Sequence, residues 1–455
     1  MAESTKIQEP IGGIMEGVTE ALNADAVEAL AGGEPVWLAE RRREAWSAYE
    51  RTPLPTTRLE EWRYTDLRRK LKLDSLRRGE WAERTFDRSG APERLVQAMD
   101  ADRAASGHLV EFDGAVAHVD LLEELAAKGV TLTPLRKAIS EQGELLESLL
   151  ATEALPASAG KFQALNAALW TDGVLLHVPR GVRLELPVRV TRWFSAESAG
   201  AAHFSRTLII AEEGSQVSYV DEVLSDDLPA QTLISSAVEV FARPSAQVQY
   251  VSLQRLGRGA FHLSQQRTLA ERDSTLDTLN VSLGASTARL DLNARLLGPG
   301  ANSDMLGLYF GDEDQHFDHN TSQDHVAPHA NSDLLYKGAL DGDARAVFRG
   351  IIKVHPGAQQ TDAYQTNRNL LLSEEARADS LPNLEIEADD VRCSHGATVG
   401  QLDQDSLFYL MSRGMPRSVA ERLVVMGFLG EVLSRLPLGG VVEKISGIVE
   451  EKLHG

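Results

Sequence analysis

The sequence predicts a mainly β protein, a parallel β-helix core held between two helical regions. Three observations carry this prediction. Strand-sized runs of alternating apolar and polar residues recur about every dozen residues between 161 and 401, with no helix-length pattern among them. The runs lack tight Asn-Gly hairpin signals and the period of about 40 to 50 residues that marks propeller blades. The flanks, in contrast, are rich in Ala, Leu, Glu and Arg with apolar residues at helical spacing.

Residues 1–160 read as a mostly helical region, clearest between 18 and 150. A helix over 38–49 carries Arg41, Arg42 and Arg43, a charge run that reads as a solvated face and is assigned no site. Thr52-Pro53-Leu54-Pro55 ends it, because proline disfavours helix in the residue before it. Residues 1–55 suggest no role. In the core, 161–401, strands are expected at 174–178, 187–194, 204–211, 216–220, 237–241, 247–253, 275–281, 288–297, 305–310, 332–339, 344–354 and 385–391. Stacked coils account for so many short units better than a sandwich or a propeller. Helices return over 402–455: one at 405–413 closed by Gly414, a second opened by Pro416, and a third at 441–453 after the Gly439-Gly440 break. The second has an apolar stripe of Val424, Val425, Phe428, Leu429, Val432 and Leu433. Such a stripe serves either as core or as a partner's docking surface.

Composition narrows the function. The chain has 455 residues, 43% hydrophobic and 25% charged, and no apolar run near the ~18 residues of a membrane span. A net charge of −21 opposes nucleic acid and anionic lipid. The start, Met1 to Lys6, lacks the basic and apolar stretches of a secretory signal, so a cytoplasmic protein is expected. A single cysteine, Cys393, excludes an internal disulfide and a four-thiolate metal site built from one chain.

The familiar enzyme signatures are missing: no phosphate-binding loop, no Gly-x-Gly-x-x-Gly, no His-Glu-x-x-His and no Gly-x-Ser-x-Gly. Two clusters concentrate residues that bind metals or move protons. The first contains His316, Asp318, His319, Asp324, His325 and His329. On a strand, His316 and Asp318 share one face and His319 takes the other, which opposes a single ligand set. The cluster fits either polar stacking between coils or a ligand site. The second is the run 389–398, where a strand would put Cys393 and His395 on one face about 6.6 Å apart, with Ser394 facing away. The run fits an inert buried cysteine, a nucleophile with a histidine base, or a soft-metal site; two ligands do not close a tetrahedral site, so a metal held there takes ligands from another chain.

The same run, DDVRCSHGATVG, followed by Leu402-Asp403, Leu407-Phe408-Tyr409-Leu410 and Ser412-Arg413-Gly414, resembles the C-terminal signature of the SufD branch of the SufB/SufD family. Gly357 to Gln365, Asn369 to Ser373, Phe162-Gln163-Ala164-Leu165-Asn166 and Glu61-Trp62-Arg63-Tyr64-Thr65 resemble the family as well. The resemblance implies a right-handed parallel β-helix in the SUF machinery for iron-sulfur cluster assembly, paired with the paralogue SufB and contacting the ATPase SufC. It implies a non-catalytic scaffold subunit without a nucleotide site of its own; a homodimer where SufB is absent is one option that the sequence leaves open. His395, assisted by Cys393, would face SufB and hold the nascent cluster transiently. Leu407, Phe408, Tyr409, Arg413, Gly414 and Phe428 fall in the SufC-docking region, 402–455. SufB carries a His-Glu-Ala-Thr run where this chain has Ser394-His395-Gly396-Ala397-Thr398, and near its sulfur-receiving cysteine this chain has Asn367. The competing reading is a β-helix carbohydrate lyase or hydrolase using the cluster from His316 to His329.

Overall fold

The computed structural model of the chain describes residues 19, 21–79, 85–100, 104–436 and 438–453. The start, Met1 to Lys6, read above for a leader, lies outside these residues.

Alternating strands build two sheets, each ten-stranded among the described residues, that wind as a solenoid of about 8 turns. Successive coils pair in parallel. In the first sheet Thr287 pairs with His316 and His316 with Arg345; in the second Asn302 pairs with Asn331. The predicted β-helix is therefore the observed fold. Every other residue of a strand points inward, which explains both the alternating pattern and the core of Leu276, Leu290, Leu292, Met305, Tyr309, Phe317, Leu334, Tyr336 and Phe348. Tyr309 and Tyr336 need space in this narrow interior, and glycine supplies it. Tyr309 sits beside Gly338 and Tyr336 beside Gly307 in the ladder, and a Cβ on either glycine would collide with the neighbouring ring.

One corner of each coil is a left-handed residue, and these stack: Gly214, Ser245, Asp273, Gly300, His329 and Gln360 all have φ between 56° and 75°. His329 thus makes a chain corner, its N–H donating to the Gln359 carbonyl at 2.9 Å.

The region 1–160 is helical only in part. Gly107–Phe112 and Ala115–Leu121 form a hairpin that extends the second sheet, and Thr131–Pro134 pairs with Asp172–Val178 at the start of the first. The two-residue turn is Asp113-Gly114, with φ of 50° and 82°, a turn whose twist matches paired strands. The expected strand at 385–391 is split: 385 and 386 end the strand Arg377–Ile386, 391 opens Val391–Gln401, and 387–390 connect the two. Ala260–Ala270 and Thr361–Leu371 are strands absent from the sequence reading. The arginine run also differs from a solvated face. Arg42 is buried, its guanidinium paired with Glu34 at 2.7 Å, donating to the carbonyls of Ala168 and Trp170, and lying over the Trp170 ring. It ties Val36–Arg51 to the helix Lys161–Leu169, while Arg43 meets Glu28 at the surface.

At the C-terminus, Arg417–Leu433 and Gly439–Lys452 cover the outer face of the second sheet. Val425, Leu429, Val432, Leu433, Val441, Ile445 and Val449 pack on Val251, Leu253, Leu279, Val281, Leu306, Leu308 and Phe310. The apolar stripe is core along this line, with Val424 and Phe428 only half-buried. No helix of the described residues is long and apolar enough to cross a membrane.

Candidate functional site

Cys393 and His395 lie on Val391–Gln401, the last strand of the second sheet and an edge with one neighbour only. That neighbour sets their direction. Ala363 pairs with Cys393 and Gln365 with His395, and partners in a parallel ladder project to the same side. Ala363 and Gln365 are buried inside the coil, so Cys393 and His395 face the solenoid interior at a level where no later coil covers it. Ser394 takes the opposite face beside the half-exposed Tyr364. The predicted sharing of a face by Cys393 and His395 is the arrangement found.

The two side chains differ in environment. Cys393 is half-buried against Ile352, Val354, Ala358 and Ala363. Burial and the Asp362 carboxylate push its thiol above the ordinary range, against the Ala363 backbone hydrogen bond, so it is protonated at neutral pH. His395 is exposed. Beneath it, Gln365 is fully buried with neither amide atom hydrogen-bonded, packed on Gly350, where a Cβ would meet the amide at 2.5 Å. Asn367, two residues on, is bound within the core by the Tyr309 hydroxyl, the Tyr336 carbonyl and Asn369. Among the described residues no group of three or more His, Cys, Asp or Glu is placed to hold a metal ion. Cys393 and His395 thus share a face of the edge strand without a third such side chain beside them among the described residues.

The end coil is an open surface. Arg377–Ile386 and Val391–Gln401 are both edge strands, and Tyr364, Leu384, Ile386 and Val399 stand exposed around them. An uncovered edge with apolar side chains is a template for pairing with another chain. The sequence reading took this run as a strand with Cys393 and His395 at an interface, but it did not single out the exposed Tyr364, Leu384, Ile386 and Val399 around it.

The cluster from His316 to His329 is dispersed by the coil. His316 and Asp318 face outward beneath the segment carrying Trp62 and Thr65. Thr65 donates its hydroxyl to Asp318 and accepts from His316 Nε2 at 2.8 Å, which fixes that imidazole tautomer. Arg289 donates to Asp318 and to the Glu61 carbonyl, with its guanidinium 3.7 Å from the Trp62 ring centre. The Glu61-Trp62-Arg63-Tyr64-Thr65 motif is thus a clasp on the first sheet. His319 points inward, stacked on Tyr309 at 4.7 Å and 3.2 Å from the Ser282 hydroxyl. His325 meets Ser332 at 2.8 Å. Burial keeps all three neutral, lowering His316 and His319 to about 3 and His325 to about 4. Residues split between two faces and a corner do not form one acid-base site, and the expected basis for a lyase or hydrolase is lost.

The C-terminal residues singled out from sequence fall in two environments. Gln404–Ser412 is capped by Asp403 and stands on Arg417–Leu433 through buried Leu407, leaving Phe408 74% and Tyr409 57% exposed. Arg413 lies over Tyr409, 5.2 Å from its ring centre, and Gly414 turns the chain at φ 89°. Phe428 faces the solenoid, with the Lys337 ammonium 4.4 Å from its ring centre. Lys337 also pairs with Glu431, and Arg435 bridges Asp304 at 2.7 Å and Asp333 at 2.9 Å. These cations clamp the helices to the sheet; the sequence reading missed them.

Comparison with known proteins agrees with this architecture. Residues 194–428 match the family model for the SUF system FeS cluster assembly SufBD core domain, and residues 21–190 match that for the SufBD protein N-terminal region. The chain is 32% identical to the iron-sulfur cluster assembly protein SufD of Bacillus subtilis, over 92% of this chain and 95% of that protein. It is 28% identical to iron-sulfur cluster assembly SufBD family proteins of Staphylococcus haemolyticus and Staphylococcus epidermidis, over 93% of this chain and 90% of each relative. With the solenoid, the helical flanks and the family models in agreement, the chain belongs to the SufBD family of SUF-system iron-sulfur cluster assembly proteins.

Proposed function

We propose that this chain is a non-catalytic scaffold subunit whose open end coil forms one half of a nascent-cluster site, the other half coming from a SufB-type paralogue. The single observation that carries this reading is the placement of Cys393 and His395 on the interior-facing side of an uncovered edge strand. Joining a second solenoid there would bury Leu384, Ile386 and Val399 and bring both side chains against the partner's ligands. His395 would supply an imidazole nitrogen to iron. Cys393, protonated in the isolated chain, would become a thiolate ligand once iron approaches, because metal binding releases the proton. The cluster is cargo in this scheme, held transiently and passed on.

In this reading the described residues of 1–160 brace the early coils, 161–401 carries the site, and 402–455 docks the ATPase SufC. Support for the docking surface is the exposed Phe408–Tyr409 pair with Arg413, on a helix that touches the rest of the molecule through a single buried face. Without the paralogue, two copies of this chain would pair through the same edge.

Anaerobic co-purification with the paralogue and the ATPase tests both surfaces. Leu384→Glu with Ile386→Glu should lose the paralogue and retain the ATPase, and Phe408→Ser with Tyr409→Ser should do the reverse. Retention of both partners by both variants would overturn the assignment.

A further inference from the structure

An open cleft of about 350 Å³ separates the start of the helix Lys161–Leu169 from the outer face of the first sheet, with Pro53, Pro55 and Trp62 along its rim. That volume suits a small ligand. The helix start has no side-chain cap: Gly160 offers no side chain, and among the described residues the N–H groups of Phe162 and Gln163 find no backbone acceptor. Gln163 is 8% exposed, lines the cleft and makes no hydrogen bond among the described residues, its amide lying over Gly160 where a Cβ would meet it at 2.5 Å. Glycine keeps that approach open.

The opposite wall is cationic. Arg267 donates Nη1 to the carbonyls of Gln266 and Asp291 at 2.8 and 3.0 Å and makes no ion pair among the described residues. Arg349 has Glu60 at 3.7 Å and leaves its buried Nε without a hydrogen-bond partner. Arg289 is 2% exposed and likewise leaves Nε unpartnered. The carboxylates lining the cleft are Glu61 and Asp291, the second already held by Arg289 at 3.2 Å.

We propose that this cleft binds a small oxyanion, a phosphate or carboxylate group, between the helix start with its Gln163 amide and the guanidinium groups of Arg267 and Arg349. A helix N-terminus and planar guanidinium groups are the two protein features best suited to such a group. The bound anion ties the N-terminal helices to the solenoid wall. This site is independent of the cluster-assembly reading and lies on a different face from the edge strand.

Calorimetric titration of the full chain with inorganic phosphate and with citrate, at constant ionic strength, tests it. Saturable binding of one ion per chain is expected for at least one probe, and the preferred probe identifies the source of the oxyanion. Arg267→Gln should weaken binding about tenfold, equivalent to about 1.4 kcal/mol, while Arg180→Gln, far more exposed and outside the cleft, should leave it unchanged. Arg349→Gln gives the same comparison with a less buried residue should Arg267→Gln fail to fold. Absence of saturation with both probes, or unchanged affinity in the folded arginine variants, would overturn the proposal.

Discussion

Acidification should weaken the fold through imidazoles the interior keeps neutral, and His319 isolates the effect. The ring is buried, stacked on Tyr309, and burial lowers it from the ordinary value near 6.5 to about 3. A base whose folded value is depressed contributes fully above the unfolded value and loses that contribution as pH falls toward the folded one. Between pH 7 and pH 5 an unfolded imidazole takes up its proton while His319 does not, which costs the folded state about 2 kcal/mol. His319→Gln keeps a polar group near the Ser282 hydroxyl and removes the titration. Reversible urea unfolding of parent and variant at both pH values should show a pH-dependent loss smaller by about that amount in the variant. Equal losses in the two proteins would refute the claim that the interior holds this histidine unprotonated.

Four further outcomes follow from the packing. Gly338→Ala should destabilise the solenoid by roughly 1–3 kcal/mol, since the new methyl group meets the Tyr309 ring; an unchanged denaturation midpoint would mean that the ring moves freely. Asp277, raised to about 6 by burial and by neighbouring Asp304, costs stability as pH rises from about 4 through that value, so Asp277→Asn should stabilise by up to about 3 kcal/mol at pH 8 and about half that at pH 5. Arg435→Gln leaves Asp304 and Asp333 facing each other without their shared cation; with these groups partly exposed the loss should be about 1 kcal/mol, read as faster hydrogen exchange in Arg417–Leu433. Deleting 402–455 uncovers Val251, Leu253, Leu306 and Leu308 and should yield an aggregating, dye-binding protein, whereas Phe408→Ser with Tyr409→Ser should remain monodisperse.

The solenoid was legible because its physics is local: each strand has one inward face, so alternation survives in sequence. The early hairpin was not, because Asp113-Gly114 lies in a stretch whose overall composition favours helix, although that dipeptide is itself a turn signal. Ala260–Ala270 escaped since its inward residues His262, Ser264, Gln266 and Thr268 are polar, which erases the pattern. The pairing of Cys393 with His395 followed from the two-residue period alone. Their exposure at an uncovered coil did not, because which strand ends a sheet depends on where the winding stops. The histidines near residue 316 looked like one site because sequence shows proximity along the chain, and a coil sends neighbours to opposite faces. Arg435 and Lys337 act on residues about a hundred positions away, beyond any local signal.

The central claim is that this chain donates part of a cluster site at its end coil. Iron and acid-labile sulfide bound to the anaerobically reconstituted complex of this chain, its paralogue and the ATPase test it most directly, comparing the parent with His395→Ala and Cys393→Ser. The account predicts intact complexes throughout, cluster lost with His395→Ala, and a smaller reduction with Cys393→Ser. Parental iron and sulfide in an intact His395→Ala complex would contradict it.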